Sequence, residues 1–546
     1  MSLDTLKDIL AFAGGLGMFI YGMHVMATGM QQAAGNKTKK LLATLTNNRF
    51  VGVLVGAAIT AIIQSSSATT VMVVGFVNAQ IMSLSQAVGI IMGANIGTTI
   101  TGWIVSMSEW SALLKPDNFA PLLLIVGTAI MLFAKSQRTK ETANILIGFG
   151  LLFIGLSSMS GAVKPYASSP IFYQAFTVIG SNPLFGILVG AIVTAIIQSS
   201  SASMGILQTL ALNGVVNWGA AAFIALGQNI GTCVTALISC IGANKNAQRA
   251  AIIHLLFNLI GSIVIGAVVW VFFLMNPIIA NSTVNSTALA IFHTSFNIAT
   301  TVILFPFANW LVKLSEMLVS DKGKDEGKVL VHLDNRLLQT PAFALVAVEQ
   351  EIDKMGSLAL DNILYSRDCL VTNKNFEKLH ANELKINTYE KEISQFLSSM
   401  SADSLTDAEQ LELKHAIMAI SDVERISDHT QQIANLAQNE IQDKKFSELA
   451  IEDINSISNQ CYHALKYALE MHSSRDVSLY NKVKKYTDQV EWMEHTMREG
   501  HIQRLIDKNC SVESGIVFLD SVNNYRRMAD HAKQLAQYVI SEENVG

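Results

Sequence analysis

The chain is predicted to be all-α: a polytopic membrane protein with an inverted repeat of re-entrant hairpins plus transmembrane helices, followed by a cytoplasmic domain of two tandem three-helix bundles. Three observations predict this. Residues 1–312 carry only 17 Asp, Glu, Lys and Arg, and the remaining 64 lie in 313–546. The apolar segment TAIIQSSSA occurs twice, at Thr60–Ala68 and Thr194–Ala202. Beyond Pro341 the pattern becomes long amphipathic helices without strand-like alternation.

Composition sets the boundaries. Half of the residues are hydrophobic and 15% charged, against about 25% charged in soluble domains, which excludes a single soluble globule. The first part has a net charge of +7 and the second of −12. An acidic part without basic runs offers nucleic acid no footprint, so no nucleic-acid partner is expected. The five cysteines are scattered without a CxxC pair and read as reduced, buried thiols. The chain contains no Walker loop, nucleophile elbow or zinc-ligand cluster, so an enzyme is not expected.

Crossing about 30 Å of hydrocarbon takes roughly 20 apolar residues. Seven stretches are read as crossings: about 9–30, 86–107, 119–134, 142–163, 217–240, 250–275 and 287–312. Two more, about 50–82 and 184–216, are cut in the middle by Gln-Ser-Ser-Ser. Each arm is too short to cross alone, so each stretch is read as a re-entrant hairpin. Such backbone is tolerated at membrane depth only where protein or a water-filled cavity surrounds it.

The positive-inside rule favours this reading. With the N-terminus outside and both hairpins returning to their own side, three basic groups fall in the cytoplasm. These are Lys37, Lys39, Lys40 and Arg49, then Lys135, Arg138 and Lys140, then Lys245 and Arg249. The hydrophilic C-terminal part lands there too, which predicts a multi-pass protein of the cell inner (plasma) membrane.

At an offset of 134, residues 56–106 and 190–240 share about 20 identities in 51. Besides TAIIQSSSA, Asn95-Ile96-Gly97-Thr98 pairs with Asn229-Ile230-Gly231-Thr232. Equivalent points are separated by an odd number of expected crossings, so the second copy is predicted to lie upside down, with the hairpin tips meeting near the midplane. Repeat 1 is placed at about 9–135 and repeat 2 at about 142–312, within a transmembrane domain of residues 1–315.

A broken membrane helix exposes N–H groups with partial positive charge at the start of its returning half, which attracts anions. Gln64, Ser65, Ser66 and Ser67 line one break and Gln198, Ser199, Ser200 and Ser201 the other, with Thr69, Thr70 and Ser203 one turn on. Hydroxyls donate to an oxyanion and offer lone pairs to a cation. Two facing tips would cage a tetrahedral anion with small cations beside it. No Asp, Glu, Lys or Arg lies inside the crossings or hairpins, and neutral oxygen donors suit a hard ion such as Na+. His24, His254 and His293 leave proton coupling as an alternative. The serines, and above all Asn95, Thr98, Asn229 and Thr232, also admit a plain helix-packing role. So do the segments His254-x-x-Phe257-Asn258 and His293-x-x-Phe296-Asn297.

The doubled QSSSA, NIGT and HxxFN segments resemble the type II sodium/phosphate cotransporters over residues 10–312. The resemblance implies sodium-driven transport of inorganic phosphate, with Na+ and phosphate ligands on the two QSSS tips, Asn95, Thr98, Asn229 and Thr232 nearby, and a homodimer as the usual assembly. The second copy has Ser203-Met204 where the first has Thr69-Thr70, so an asymmetric site is expected. Two alternatives stand beside it: a phosphate exporter of the same fold, and a membrane sensor that binds phosphate without moving it.

Residues 316–337 form a linker, and 338–546 a cytoplasmic helical domain. Helices are expected at about 341–366, 375–400, 406–440, 446–472, 476–507 and 510–541. The segment Glu424-Arg-Ile-Ser-Asp428-His429 recurs as Arg526-Arg-Met-Ala-Asp530-His531. This half resembles the PhoU family of phosphate-signalling proteins, in which E-x-x-x-D helices can bind metal. Carried over, that points to Glu424, Asp428 and Asp530, weakened by Arg526 in place of the second acid, so that a surface ion pair is the competing role. The resemblance implies regulation of transport through a cytoplasmic signalling partner.

Overall fold

A computed structural model describes residues 3–34, 48–79, 82–110, 116–166, 174–176, 178–179, 182–320, 333–339, 341–400, 405–440, 446–506 and 511–543. Lys37, Lys39, Lys40, Cys510 and most of the expected linker lie outside the described residues. The described residues are helical, without a β-strand, and fall into two compact units, Met1–Glu326 and Gly327–Gly546.

In the first unit, α1 (Leu3–Ala34) is followed by α2 (Arg49–Ile63), α3 (Ser66–Asn78), α4 (Leu84–Gly97), α5 (Ile100–Ser106), α6 (Pro116–Phe133) and α7 (Gln137–Val163). Then come α8 (Pro183–Ile197), α9 (Ser200–Leu212), α10 (Trp218–Ser239), α11 (Lys245–Met275), α12 (Pro277–Asn281), α13 (Ser286–Leu304) and α14 (Ala308–Leu318). Among the described residues, six helical spans are long and apolar enough to cross a membrane: Leu3–Ala34, Leu84–Glu109, Thr139–Tyr166, Trp218–Ser239, Lys245–Met275 and Ser286–Leu318. The seventh expected crossing, 119–134, falls on α6, whose described apolar part, Asn118–Phe133, is shorter than these six spans. Its apolar run is bounded by Asp117 and Lys135 and interrupted by Pro121.

The repeat is visible in matched local structure. α2 and α8 are each 15 residues and α3 and α9 each 13. At 1.5 Å per residue the longer arms reach about 22 Å, too short to span. Asn48 and Asn182 cap α2 and α8 by accepting from the N–H two residues on. Ser83 and Asn217 cap α4 and α10. The outgoing arms pack through glycine: a Cβ on Gly93 would lie 2.0 Å from the Val53 carbonyl oxygen, and one on Gly227 2.0 Å from that of Ile187. Both pairs sit at the same offset, so each copy joins its hairpin to the following helix by the same backbone contact.

Around these pairs, α1 and α7 pack along each other, with Phe19, Met26, Leu152 and Phe153 buried between them and their neighbours. A second apolar core gathers Leu207, Phe223, Leu226, Leu289 and Phe296 from α9, α10 and α13. The carboxylate of Glu109 accepts from the Ser286 and Thr287 N–H groups at 2.9 and 2.8 Å, anchoring the start of α13.

The second unit comprises α15 (Pro341–Thr372), α16 (Phe376–Ser398) and α17 (Asp407–Glu440), then α18 (Glu448–Ser474), α19 (Tyr480–Ile506) and α20 (Val512–Glu543). Each triplet packs internally, and α17 lies against α20. Most ends fall within a few residues of expectation, but α15 runs on to Thr372, past the expected end at about 366. Polar contacts join the triplets: Asp422 accepts from His531 Nδ1 at 2.8 Å and from the Tyr538 hydroxyl at 2.6 Å.

Candidate functional site

Both breaks have the same backbone. Gln64 adopts φ 57°, ψ 23° and Gln198 φ 57°, ψ 22°, the left-handed region that costs a residue with a Cβ about 1–2 kcal/mol. A strained conformation reproduced at equivalent points of a repeat is a pointer to function. The next residue is extended in each copy and becomes the N-cap: Ser65 Oγ accepts from the Ala68 N–H at 3.1 Å, and Ser199 Oγ from the Ala202 N–H at 3.2 Å. Ser66 and Ser200 open helices α3 and α9, and both are buried.

The two breaks meet. The Thr101 hydroxyl, at the start of α5, donates to Gln64 Oε1 at 2.9 Å and lies 3.1 Å from Ser201 Oγ. Gln64 and Ser201 belong to different copies, so one side chain spans both serine clusters. All three residues are buried, whereas Gln198 is exposed. Sequence reasoning singled out Thr98 and missed Thr101. The available signal was the identity of Thr101 with Thr235 in the repeat alignment.

The NIGT segments lie against the outgoing arms one turn before each break. A Cβ on Gly97 would lie 2.8 Å from Thr60 Cβ, and one on Gly231 2.7 Å from Thr194 Cβ. Their side chains are largely committed elsewhere. Asn95 donates to the Ile91 carbonyl, Thr232 to that of Gln228, and Asn229 to Asn297 Oδ1 at 2.8 Å. That last bond joins the second NIGT segment to the second HxxFN segment. In the first HxxFN segment, Asn258 donates to the His254 carbonyl and to Cys233 Sγ.

The copies differ one turn beyond the serines. Thr60 donates to Thr69 Oγ1 at 3.0 Å, and Thr69 donates to the Ser65 carbonyl. The equivalent hydroxyls of Thr194 and Ser203 are buried without a protein partner, as are those of Thr70 and Thr98. Buried hydroxyls left unpaired carry a desolvation cost of about 1–3 kcal/mol each. A bound ion or water relieves it. Neutral oxygens therefore gather around both breaks, beside two helix N-termini.

In the second unit, Glu424 and Asp428 stand one turn apart on α17, and Asp530 lies on α20. Among the described residues, no group of three or more His, Cys, Asp or Glu side chains is placed to hold a metal. Arg526 faces Glu491 at 3.9 Å. Burial, with the charges of Asp428, Glu383 and Glu390, pushes the Glu424 carboxyl up to about 6. A raised carboxyl binds its proton more tightly in the folded chain, so this destabilisation is absent below the unfolded value, grows up to about pH 6 and is constant above it. Glu424→Gln is therefore expected to stabilise the detergent-solubilised full-length protein near pH 7.5, by less than about 1 kcal/mol because the group is half-exposed and screened, read as a raised melting temperature. The gain should vanish near pH 4.5. An equal gain at both pH values would sink the assignment.

Comparisons with known proteins now bear on this geometry. The model for Na+/Pi-cotransporter matches residues 18–161 and 167–293, and that for the PhoU domain 352–437 and 454–539. The chain is 25% identical over 545 residues to a Salmonella typhimurium protein named "Putative inorganic phosphate export protein YjbB", covering 98% of both chains. It is 28% identical over 316 residues to the uncharacterized protein YqeW of Bacillus subtilis, covering 58% of this chain and 99% of that one. It is 30% identical over 118 residues to human sodium-dependent phosphate transport protein 2B, covering 19% of this chain and 17% of that one. No solved structure gives a significant match. With both models matched in the expected order, the chain belongs to the Na+/Pi-cotransporter family and carries a PhoU domain after its membrane-spanning part.

Proposed function

We propose that this protein is a secondary transporter that carries inorganic phosphate across the cell inner membrane by alternating access, coupled to Na+. The observation that carries this reading is the pair of left-handed Gln turns, each opening a serine-capped helix, brought together through Thr101. Two helix N-termini with hydroxyl donors suit a tetrahedral oxyanion. Buried neutral oxygens suit a hard cation, and the human relative's name supports sodium. The two QSSS segments, with Thr69, Thr98, Ser203 and Thr232 around them, are the proposed ligands, and the PhoU domain is the proposed cytoplasmic regulator.

Proteoliposomes with an imposed Na+ gradient and labelled phosphate test the coupling. Uptake should follow the gradient and collapse when potassium replaces sodium. Uptake indifferent to sodium would remove the coupling, and binding without flux would favour a sensor.

One observation favours a second reading of direction. The relative named for phosphate export matches along 98% of both chains, PhoU domain included. An inward sodium gradient drives a symporter inward, so net export requires an outward phosphate gradient that outweighs it. Cells lacking the protein should then accumulate phosphate, whereas loss of an importer lowers it.

A further inference from the structure

The hydrogen-bond directions at the meeting point of the two breaks are fixed by elimination. Gln64 Nε2 donates to the Ala61 carbonyl at 2.5 Å. A carbonyl can only accept, so the amide is held with Oε1 pointing the other way. Oε1 can also only accept, so the single Thr101 proton goes to it. Thr101 has no second proton for Ser201. The 3.1 Å contact between the two hydroxyls must therefore run from Ser201 to Thr101. The Ser201 proton is taken up by this relay, and its remaining lone pairs are what it can offer a ligand.

The capping serines have the opposite polarity. Ser65 and Ser199 each accept a backbone N–H, which uses a lone pair and leaves the hydroxyl proton to donate. Thr235, the repeat equivalent of Thr101, donates to the Thr232 carbonyl on its own helix at 2.8 Å. The two copies are thus wired differently at this point.

Resting on the transport reading above, we propose that Thr101 is a positioning residue that ties the two breaks together and fixes Ser201 as a lone-pair donor to the transported cation, leaving the anion to the serines outside this relay, Ser65, Ser66, Ser199 and Ser200. It acts across the repeats, through a side chain outside both serine clusters.

The test is a split between sodium and phosphate dependence, measured as labelled phosphate flux in proteoliposomes of the full-length protein. Thr101→Val removes the relay at nearly constant volume. The half-saturating Na+ concentration should rise roughly tenfold, the size of one lost orienting hydrogen bond. The apparent KM for phosphate at saturating Na+ should change by less than about twofold. Thr101→Ser keeps the hydroxyl and should restore the sodium dependence. Ser201→Ala should raise the sodium requirement directly, and the T101V/S201A double variant should be no worse than S201A, because Thr101 acts through Ser201. Additive shifts in the double variant, or a T101V effect confined to phosphate KM, would overturn the inference. If T101V does not fold, S201A alone decides: a shift in phosphate KM without a sodium shift overturns it. Wild-type flux that ignores sodium overturns both the coupling and this cation role, whereas sodium-dependent wild-type flux with an unshifted T101V overturns the inference alone.

Discussion

The double variant S66A/S200A is expected to lose phosphate transport by roughly 10²- to 10⁴-fold while remaining folded. Ser66 and Ser200 are the first residues of α3 and α9, so their hydroxyls stand beside the N-terminal N–H groups of both helices. A hydrogen bond to a charged group is worth about 1.5–3 kcal/mol, and two of them lost together give about 3–6 kcal/mol. Folding should survive because the caps belong to other residues: Ser65 and Ser199 still accept from Ala68 and Ala202. Alanine is also the best helix former, so neither returning arm is weakened. Each single variant should raise the apparent KM for phosphate, by about ten- to a hundredfold. Wild-type kinetics in the double variant, with protein amount and melting temperature matched, would remove the serine-lined breaks from the site.

Much of this site was legible in the sequence because a polar tetrapeptide inside an apolar run is costly unless something repays it. Gln-Ser-Ser-Ser at matched points of a repeat marks the backbone breaks, and their left-handed Gln residues stand there. The amphipathic C-terminal helices were legible for the same reason, since their apolar stripes recur at helical spacing. Thr101 was not. A threonine in a membrane helix ordinarily bonds to its own backbone, as Thr235 does. Its reach depends on a difference between the copies that pattern alone cannot convey. In the first copy the helix breaks at Thr98–Thr99, where Thr99 donates to the Ile96 carbonyl at 2.8 Å. In the second, Cys233 replaces Thr99 and α10 runs through unbroken.

Replacing either interhelical glycine should have an effect of similar size through folding. At Gly93 an added methyl would sit 2.0 Å from the Val53 carbonyl oxygen and 2.7 Å from the Ala57 nitrogen. At Gly227 it would sit 2.0 Å from the Ile187 carbonyl oxygen and 2.7 Å from the Ile187 carbonyl carbon. Overpacking a core costs about 1–3 kcal/mol where side chains can rotate away. Here every near atom is backbone, so the helices themselves must separate, and G93A and G227A should each exceed about 3 kcal/mol. Separation of α2 from α4, or of α8 from α10, also displaces the break at the end of the arm. Folded, monodisperse protein should therefore fall several-fold, and the remainder should transport poorly. Gly161, in α7, supplies the control: among the described residues nothing lies within 4 Å of its added Cβ. G161A should leave yield and flux unchanged to within about twofold, since only the modest propensity gain of alanine over glycine applies. If G93A and G227A match G161A in yield and melting temperature, the close helix pairing on which both breaks rest is wrong.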